Sequence, residues 1–398
     1  MPETDLPDPP TGAPSLYIHW PYCQRKCPYC DFNVYPGKVG KGALPEATLV
    51  RALQNDLAWQ VEGQALAPLE TIYFGGGTPS LLSPHSIEKL IDTALTVWPQ
   101  TTCSQTKTPQ ITLEVHPSSA DQAKFKSFRH AGVNRLSIGV QSFDDQALAF
   151  LGREHSGAEA RAAVQAARDL FDAVSLDLIS ALPAMALDAQ TAQIDQALAL
   201  EVDHLSVYQL GIEAGTAFAA AVARGDWHPM DADRAADFYT AAAAQIKAAG
   251  LPAYEVSNFA KPGFESRHSL LGWQGRAYVG LGPGAEGRAH LADGTWRQRI
   301  THRRPQAYAT EVATRGHGLA VDAALSPEDR AVEQLIFGLR LTQGLPRNAT
   351  PWKLVPEARL HALLESGDLE ETTTHRRATA TGRLRLDALS DYLLNHAR

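Results

Sequence analysis

The feature that most restricts how this chain can fold is a strand-then-helix rhythm through its first two thirds. Short runs rich in β-branched and aromatic residues recur at 16–20, 71–74, 111–115, 135–140, 174–179 and 204–210. Longer segments with helical apolar spacing lie between them, for example 47–61, 84–97, 158–171 and 191–200. Strands that alternate with helices pair in parallel through right-handed crossovers. Six such units are too few for a closed eight-stranded barrel and enough for a partial one, so the expected fold is α/β, a partial (β/α)6 TIM-like barrel. In such folds the reactive groups gather at the C-terminal ends of the strands. The segments after these strands carry the unusual Cys, Gly, His and Asp residues.

Composition narrows the function classes. The 398 residues are 44% hydrophobic, ample for a buried core. Lys and Arg number 36 against 44 Asp and Glu, a net charge of -8, which argues against a nucleic-acid coat. No run of about 18 apolar residues is present, so no membrane-crossing helix is predicted. The acidic, Pro-rich start has no apolar core of a secretory leader and reads as a flexible segment over 1–14. A cytoplasmic location is the expectation. The barrel is expected over 15–233 and its completion over 234–320, where an Ala-rich helix at 234–250 precedes an irregular stretch. A small helical module is expected over 321–398. Ser326-Pro327-Glu328-Asp329 reads as a helix start. A helix near 357–365, a hairpin-like segment over 369–382 and a last helix from 384 to about 396 complete an order that resembles a winged helix. Residues 321–398 hold 10 Lys and Arg against 11 Asp and Glu, which favours docking or covering a substrate over DNA contact.

Three of the four cysteines fall in Cys23-Gln24-Arg25-Lys26-Cys27-Pro28-Tyr29-Cys30, a C-x3-C-x2-C spacing. Three such thiolates can each reach one iron of a cube-shaped 4Fe–4S cluster, leaving the fourth iron without a protein ligand. Arg25 and Lys26 are expected to lower the thiol pKa values. Zinc binding with a fourth ligand such as His19, or three unpaired thiols, are the alternatives. Cys103, in a polar segment, reads as an incidental exposed thiol.

Gly75-Gly76-Gly77-Thr78-Pro79 follows the second strand, and glycines there admit a ligand close to the backbone. The cysteine loop and this motif, in this order, resemble the radical S-adenosylmethionine (radical SAM) superfamily. Within it the chain is most similar to the group of oxygen-independent coproporphyrinogen III oxidase and the HemW-type haem chaperone. The resemblance implies a 4Fe–4S cluster on Cys23, Cys27 and Cys30 and S-adenosylmethionine beside it. It implies cofactor contacts from Tyr17, Gly76, Gly77, Thr78, Glu114, Gln141, Arg153 and Asp177. The bound cofactor would chelate the open iron, and one electron would cleave its sulfonium to methionine and a 5′-deoxyadenosyl radical.

Three readings follow from the resemblance. One is a haem carrier that binds haem and passes it to respiratory haem proteins, some of them membrane-bound. Another is a coproporphyrinogen III dehydrogenase of porphyrin biosynthesis, and the third is a divergent radical enzyme. The dehydrogenases carry a fourth cysteine two residues after the third, where this chain has Phe32, and a longer segment before the cluster. The carrier is therefore preferred and oxidase activity is not expected. The carriers' haem-linked H-N-x-x-Y-W motif is matched here by His268 and Trp273, while Ser269 and Gly272 depart from it. Haem is accordingly expected as a third cofactor at His268 and Trp273. A reductant protein is an implied partner, and nucleic acid is not. Two further departures are Ser180-Ala181-Leu182-Pro183-Ala184-Met185, where relatives often have Tyr-Gly-Leu-Pro-Gly-Gln, and Glu286, where they often have His.

Overall fold

A computed structural model describes residues 12–37, 44–98, 108–119 and 121–394. Cys103 and residues 395–398, the end of the expected last helix, lie outside them. Six parallel strands form the centre: β1 (Ala13–Trp20), β2 (Leu66–Gly76), β3 (Gln110–Val115), β4 (Arg135–Gln141), β5 (Ala173–Ser180) and β6 (His204–Gln209). All six were legible in the sequence within a few residues. Two strands from the irregular stretch extend the sheet: β7 (Asn258–Ala260), antiparallel to β6, and β8 (Val279–Leu281), parallel to β1. The order is β8-β1-β2-β3-β4-β5-β6-β7, an open eight-stranded sheet.

Of the segment expected to be flexible over 1–14, residues 1–11 lie outside the described residues, whereas Ala13 and Pro14 begin β1, because Ala13 is fully buried and its N–H donates to the Ala65 carbonyl at 2.9 Å.

Helices α1 (Glu46–Val61), α2 (Pro84–Val97), α3 (Gln122–His130), α4 (Asp145–Phe150), α5 (Gly157–Arg168), α6 (Leu187–Ala199), α7 (Ala217–Arg224) and α8 (Ala232–Ala248) follow in chain order. Their starts are written in the sequence. Ser83 caps α2 with Pro84 at the first turn, and Ser156 and Glu159 form a reciprocal capping box at α5. Residues 122–130, 145–150 and 217–224 were not singled out as helices; the last two are only six and eight residues long.

The strands alternate with period two, which decides where the core lies. Leu16, Ile18, Ile72, Phe74, Ile111, Leu113, Leu136, Ile138, Val174, Leu176 and Leu205 are buried in one apolar cluster with the helices. The opposite parity carries Ser15, Tyr17, Thr71, Tyr73, Thr112, Glu114, Arg135, Ser137, Ser175, Asp177, His204 and Ser206. The interior of the barrel is therefore polar.

Beyond the barrel come α9 (Arg267–Trp273), strands β9 (Glu286–His290) and β10 (Trp296–Thr301), α10 (Pro305–Arg315) and β11 (Leu319–Leu325). Strands β9, β10 and β11 form an antiparallel sheet. The boundary expected between 320 and 321 falls inside β11, whose pairing with β10 assigns 321–325 to this sheet. Helix α11 (Pro327–Arg340) starts at the expected Ser326 cap, with Asp329 closing a capping box. With α12 (Glu357–Glu365), α13 (Ala380–Arg383), α14 (Leu386–Leu394) and a small sheet of β12 (Leu345–Pro346), β13 (Leu369–Glu371) and β14 (His375–Ala378) it forms the C-terminal module. Leu335, Leu339, Trp352, Leu363, Leu389 and Leu393 make up its own core.

Candidate active site

A cavity of about 510 Å³ opens at the C-terminal ends of the strands and runs down inside the barrel. Cys23, Cys27 and Cys30 line it together with Gly76, Gly77, Thr78, Glu114, Gln141, Arg153 and Asp177. Ten of the predicted cluster and nucleotide residues, spread over more than 150 positions, thus meet at one place. Tyr17 stands beside the wall, its ring stacked on Tyr73 at 6.2 Å between centroids and its hydroxyl 3.0 Å from His19 Nδ1.

The cysteine loop is held from several sides. Tyr22 and Cys23 pair with Tyr35 and Pro36 across the loop. Asn33 donates through Nδ2 to the carbonyls of Pro283 at 2.9 Å and Arg303 at 2.8 Å. The glycine motif fastens the loop's entry, since the N–H of Gly77 donates to the Trp20 carbonyl at 2.7 Å and that of Thr78 to the Tyr22 carbonyl at 2.8 Å. A Cβ on Gly77 would lie 2.5 Å from the Tyr22 carbonyl oxygen. Gly76 has φ +108°, and a Cβ there would meet the His19 ring at 2.7 Å. These glycines are required by the loop's own packing.

Arg153 joins the loop to the barrel. Its Nη1 lies 3.7 Å from Cys27 Sγ and its Nη2 donates to the Gly139 carbonyl at 2.7 Å. Gly152 (φ +69°) makes this possible, because a Cβ there would press on Pro28 at 2.6 Å. On the outer side Phe218 packs between Tyr29, Phe150 and Trp227, and its N–H donates to the Pro28 carbonyl at 3.0 Å. Phe218 of α7, backed by Phe150 and Trp227, thus covers the Tyr29 side of the loop.

Burial and mutual repulsion raise the Cys23 thiol to about 11, and burial raises Cys30 as well. The expected lowering is not met at these two positions: Lys26 pulls both down, but desolvation outweighs a side chain that reaches into water. His19 is not available as a zinc ligand. It is buried, with Nδ1 against Tyr17 and Nε2 3.0 Å from the Asn33 carbonyl. Among the described residues no three His, Cys, Asp or Glu side chains converge on one ion.

Below the cysteines lie two carboxyl groups. Glu114 accepts from the Tyr73 hydroxyl at 2.8 Å, and burial lifts its pKa to about 7 against the pull of that bond. Burial also lifts Asp177 to about 6, opposed by hydrogen bonds from Ser206 and Ser137 and by Arg135 and Arg153. Gln141 sits in the left-handed region at φ 67°, a strained position for a side chain other than Gly, beside an irregularity in the pairing of β4 with β5. Polar groups at graded depth beside open backbone fit the amino, carboxylate and hydroxyl groups of a nucleotide with an amino-acid tail.

The two residues expected to contact haem do not meet. His268 is half-buried near Tyr73, with ring centroids 4.8 Å apart, and its Nδ1 lies 3.1 Å from Thr71 Oγ1. Burial lowers its pKa to about 4. Trp273 turns toward α11, against Phe337 and under Arg340, whose guanidinium carbon lies 4.4 Å from the ring centroid. Five residues along a helix are about 140° apart in rotation, so the two side chains leave α9 in different directions. Glu286 is exposed at the start of β9 and is not on the cavity wall.

Sequence reading missed the deeper wall: Thr112, Arg135, Ser175, His204, Ser266 and Ser269. For Thr112, Arg135, Ser175 and His204 the signal was present as the polar parity of the parallel strands; Ser266 and Ser269, at the start of α9, carried none.

Comparison with known proteins agrees with this geometry. The radical SAM superfamily pattern matches residues 17–186. The chain is 38% identical over 343 residues, 85% of its length and 76% of the relative's, to the mitochondrial radical S-adenosyl methionine domain-containing protein 1 of Bos taurus. It is 34% identical over 388 residues, 96% of its length and 98% of the relative's, to the haem chaperone HemW of Escherichia coli. The solved structure of Escherichia coli coproporphyrinogen III oxidase (HemN) has the same fold, with a TM-score of 0.78 at 20% identity, covering 98% of this chain and 91% of that one. This chain belongs to the radical SAM superfamily and, within it, to the family of the haem chaperone HemW.

Proposed function

We propose that this protein is a haem carrier that holds a 4Fe–4S cluster on Cys23, Cys27 and Cys30 and S-adenosylmethionine in the upper barrel. The observation that carries the reading is the single cavity shared by the three thiols, the glycine motif and the buried carboxyl groups of Glu114 and Asp177. Gly76, Gly77, Thr78, Glu114, Gln141, Arg153 and Asp177 would hold the nucleotide, with Tyr17 supporting the wall. When bound, the cluster supplies one electron at its open iron. Arg153 suits the carboxylate of the nucleotide's amino-acid tail. The phenyl and indole rings cover the Tyr29 side of the cysteine loop.

Haem carriage is supported by relatives named haem chaperones at 34–35% identity over most of the chain, and by Phe32 in the place of a fourth cysteine. Phe32 is 57% exposed, an aromatic edge next to the cluster. His268 is the protein's candidate axial ligand, with Thr71 fixing its Nδ1 and no hydrogen bond to its Nε2 among the described residues. Trp273 would contribute from the α11 side. Delivery to respiratory haem proteins, a reductant protein as electron source and a cytoplasmic setting belong to the same proposal. No helix among the described residues is long and apolar enough to cross a membrane.

The test is a haem titration run beside an anaerobic coproporphyrinogen III assay on one reconstituted preparation. The carrier reading expects haem binding without conversion, and loss of the axial-ligand signature in His268→Ala. Efficient conversion would move the protein to the oxidase side.

A further inference from the structure

The deepest part of the barrel holds an arginine without a counter-ion. Arg135 is 1% exposed, yet no carboxylate lies within ion-pair distance of it among the described residues. Asp177 and Asp203 act on it only from further away. Two of its N–H groups are matched, one by the Phe264 carbonyl at 2.8 Å and one by Ser175 Oγ. Buried cations are ordinarily paired, because removing a charge from water without a partner is costly.

The neighbours of Arg135 are short of partners too. Thr112 stands opposite it in the β3–β4 pairing, and Thr112 Oγ1 is buried with no hydrogen bond. Ser175 stands opposite His204 in the β5–β6 pairing, and His204 Nδ1 is likewise buried and unmatched. Thr112 and His204 are 1% and 2% exposed, and all four residues line the cavity. The Tyr254 hydroxyl accepts the Ser266 N–H at 3.4 Å and lies 2.9 Å from His204 Nε2. In the tautomer in which that hydroxyl donates to Nε2, Nδ1 carries the imidazole N–H and has no partner among the described residues.

A guanidinium, an imidazole N–H and a hydroxyl in one arc, all with unused donors, ask for an oxygen anion. We infer that the arc of Thr112, Arg135 and His204 is a carboxylate-binding subsite, taking an acidic substituent of the ligand that shares the barrel with the nucleotide. Thr112 lies one inward-facing position below Glu114 on β3, and His204 one below Ser206, the partner of Asp177, on β6; none of the three is among the nucleotide contacts named above. An acidic side chain lowered into the barrel would orient the rest of that ligand toward the cluster. On the proposed function the substituent is a tetrapyrrole propionate; the subsite itself does not depend on that reading.

Two ligand pairs test it on the reconstituted protein with S-adenosylmethionine present. The first is 1-pyrenebutyrate against its neutral alcohol, 1-pyrenebutanol, followed by fluorescence; the second is haem against haem dimethyl ester, followed by absorbance. The acid of each pair should bind about tenfold more tightly, as expected for a buried charge-assisted hydrogen-bonded pair. Arg135→Met should erase the preference, and Arg135→Lys should keep part of it. Thr112→Val replaces the unmatched hydroxyl with a methyl of the same shape and should reduce the preference about fivefold. It keeps the test open if Arg135→Met fails to fold. The pyrene pair decides the subsite: equal binding of acid and alcohol overturns it. The haem pair decides the ligand: no binding of either haem form, with the pyrene preference intact, defeats the haem reading and leaves the subsite standing.

Discussion

Arg153 touches both halves of the site at once, with one guanidinium nitrogen 3.7 Å from Cys27 Sγ and the other bonded to the carbonyl of Gly139. A side chain so placed ties the cysteine loop to the end of β4 while presenting positive charge to the cavity. Arg153→Gln should keep its iron, because the three thiols remain. It should lose affinity for S-adenosylmethionine by about tenfold or more, the cost of one charge-assisted contact. Anaerobic calorimetry beside an iron assay separates the two effects. Unchanged affinity would remove Arg153 from the nucleotide site.

Gly77 is fixed by the loop it supports. Gly77→Ala would put a methyl group 2.5 Å from the Tyr22 carbonyl oxygen, which is backbone and cannot rotate away. The variant should assemble its cluster poorly, with visible absorbance and iron content well below wild type and little change in far-ultraviolet circular dichroism. Full iron content would show that the loop can shift.

Two alanines sit where a side chain is strained. Ala181 and Ala184 have φ 57° and 59°, in the segment where relatives often carry glycine. A left-handed backbone costs an L-residue about 1–2 kcal/mol, part of which a glycine returns through its freer unfolded chain. Ala181→Gly and Ala184→Gly should each stabilise the protein by up to about 1 kcal/mol in denaturant titration. Destabilisation by either would show that the methyl groups contribute packing that outweighs the strain.

The buried carboxyl of Glu114 predicts a pH dependence. Its folded pKa, about 7, lies above the ordinary value of 4.5, so between these values the folded protein holds the proton more tightly than the unfolded chain. Stability from this group is full below about 4.5 and falls as pH rises toward 7. The imidazoles of buried His155 and half-buried His116 and His268, lowered to about 4, 3 and 4, act oppositely as pH falls below 6.5. The informative quantity is therefore a difference. The stability of Glu114→Gln relative to wild type should rise with pH from about 4.5 to 7 in parallel melting curves. A constant difference would place a normally titrating carboxyl at this position.

The sequence made the parallel strands and the upper site legible because both are carried by local patterns: period-two runs, capping residues, cysteine spacing and a glycine run. What it hid depends on contacts distant in sequence. The sequence places the start of a separate module inside β11, which has no clear apolar alternation; only pairing with β10 identifies it as a strand. His268 and Trp273 looked like one ligand site in a linear motif, but a short helix between β2 and α11 sends them to different neighbours. Arg135 is only the first residue of a strand run in the sequence; its burial becomes evident when the sheet encloses it. Burial of Cys23 and Cys30 likewise reverses the effect expected from the charges beside them.

The most direct measurement is electron paramagnetic resonance of the reduced, anaerobically reconstituted protein, recorded before and after adding S-adenosylmethionine. Three protein thiolates and one open iron predict a 4Fe–4S signal that shifts when the nucleotide binds and is lost in Cys27→Ser. A signal indifferent to the nucleotide, or one that survives Cys27→Ser unchanged, would contradict the open-iron site.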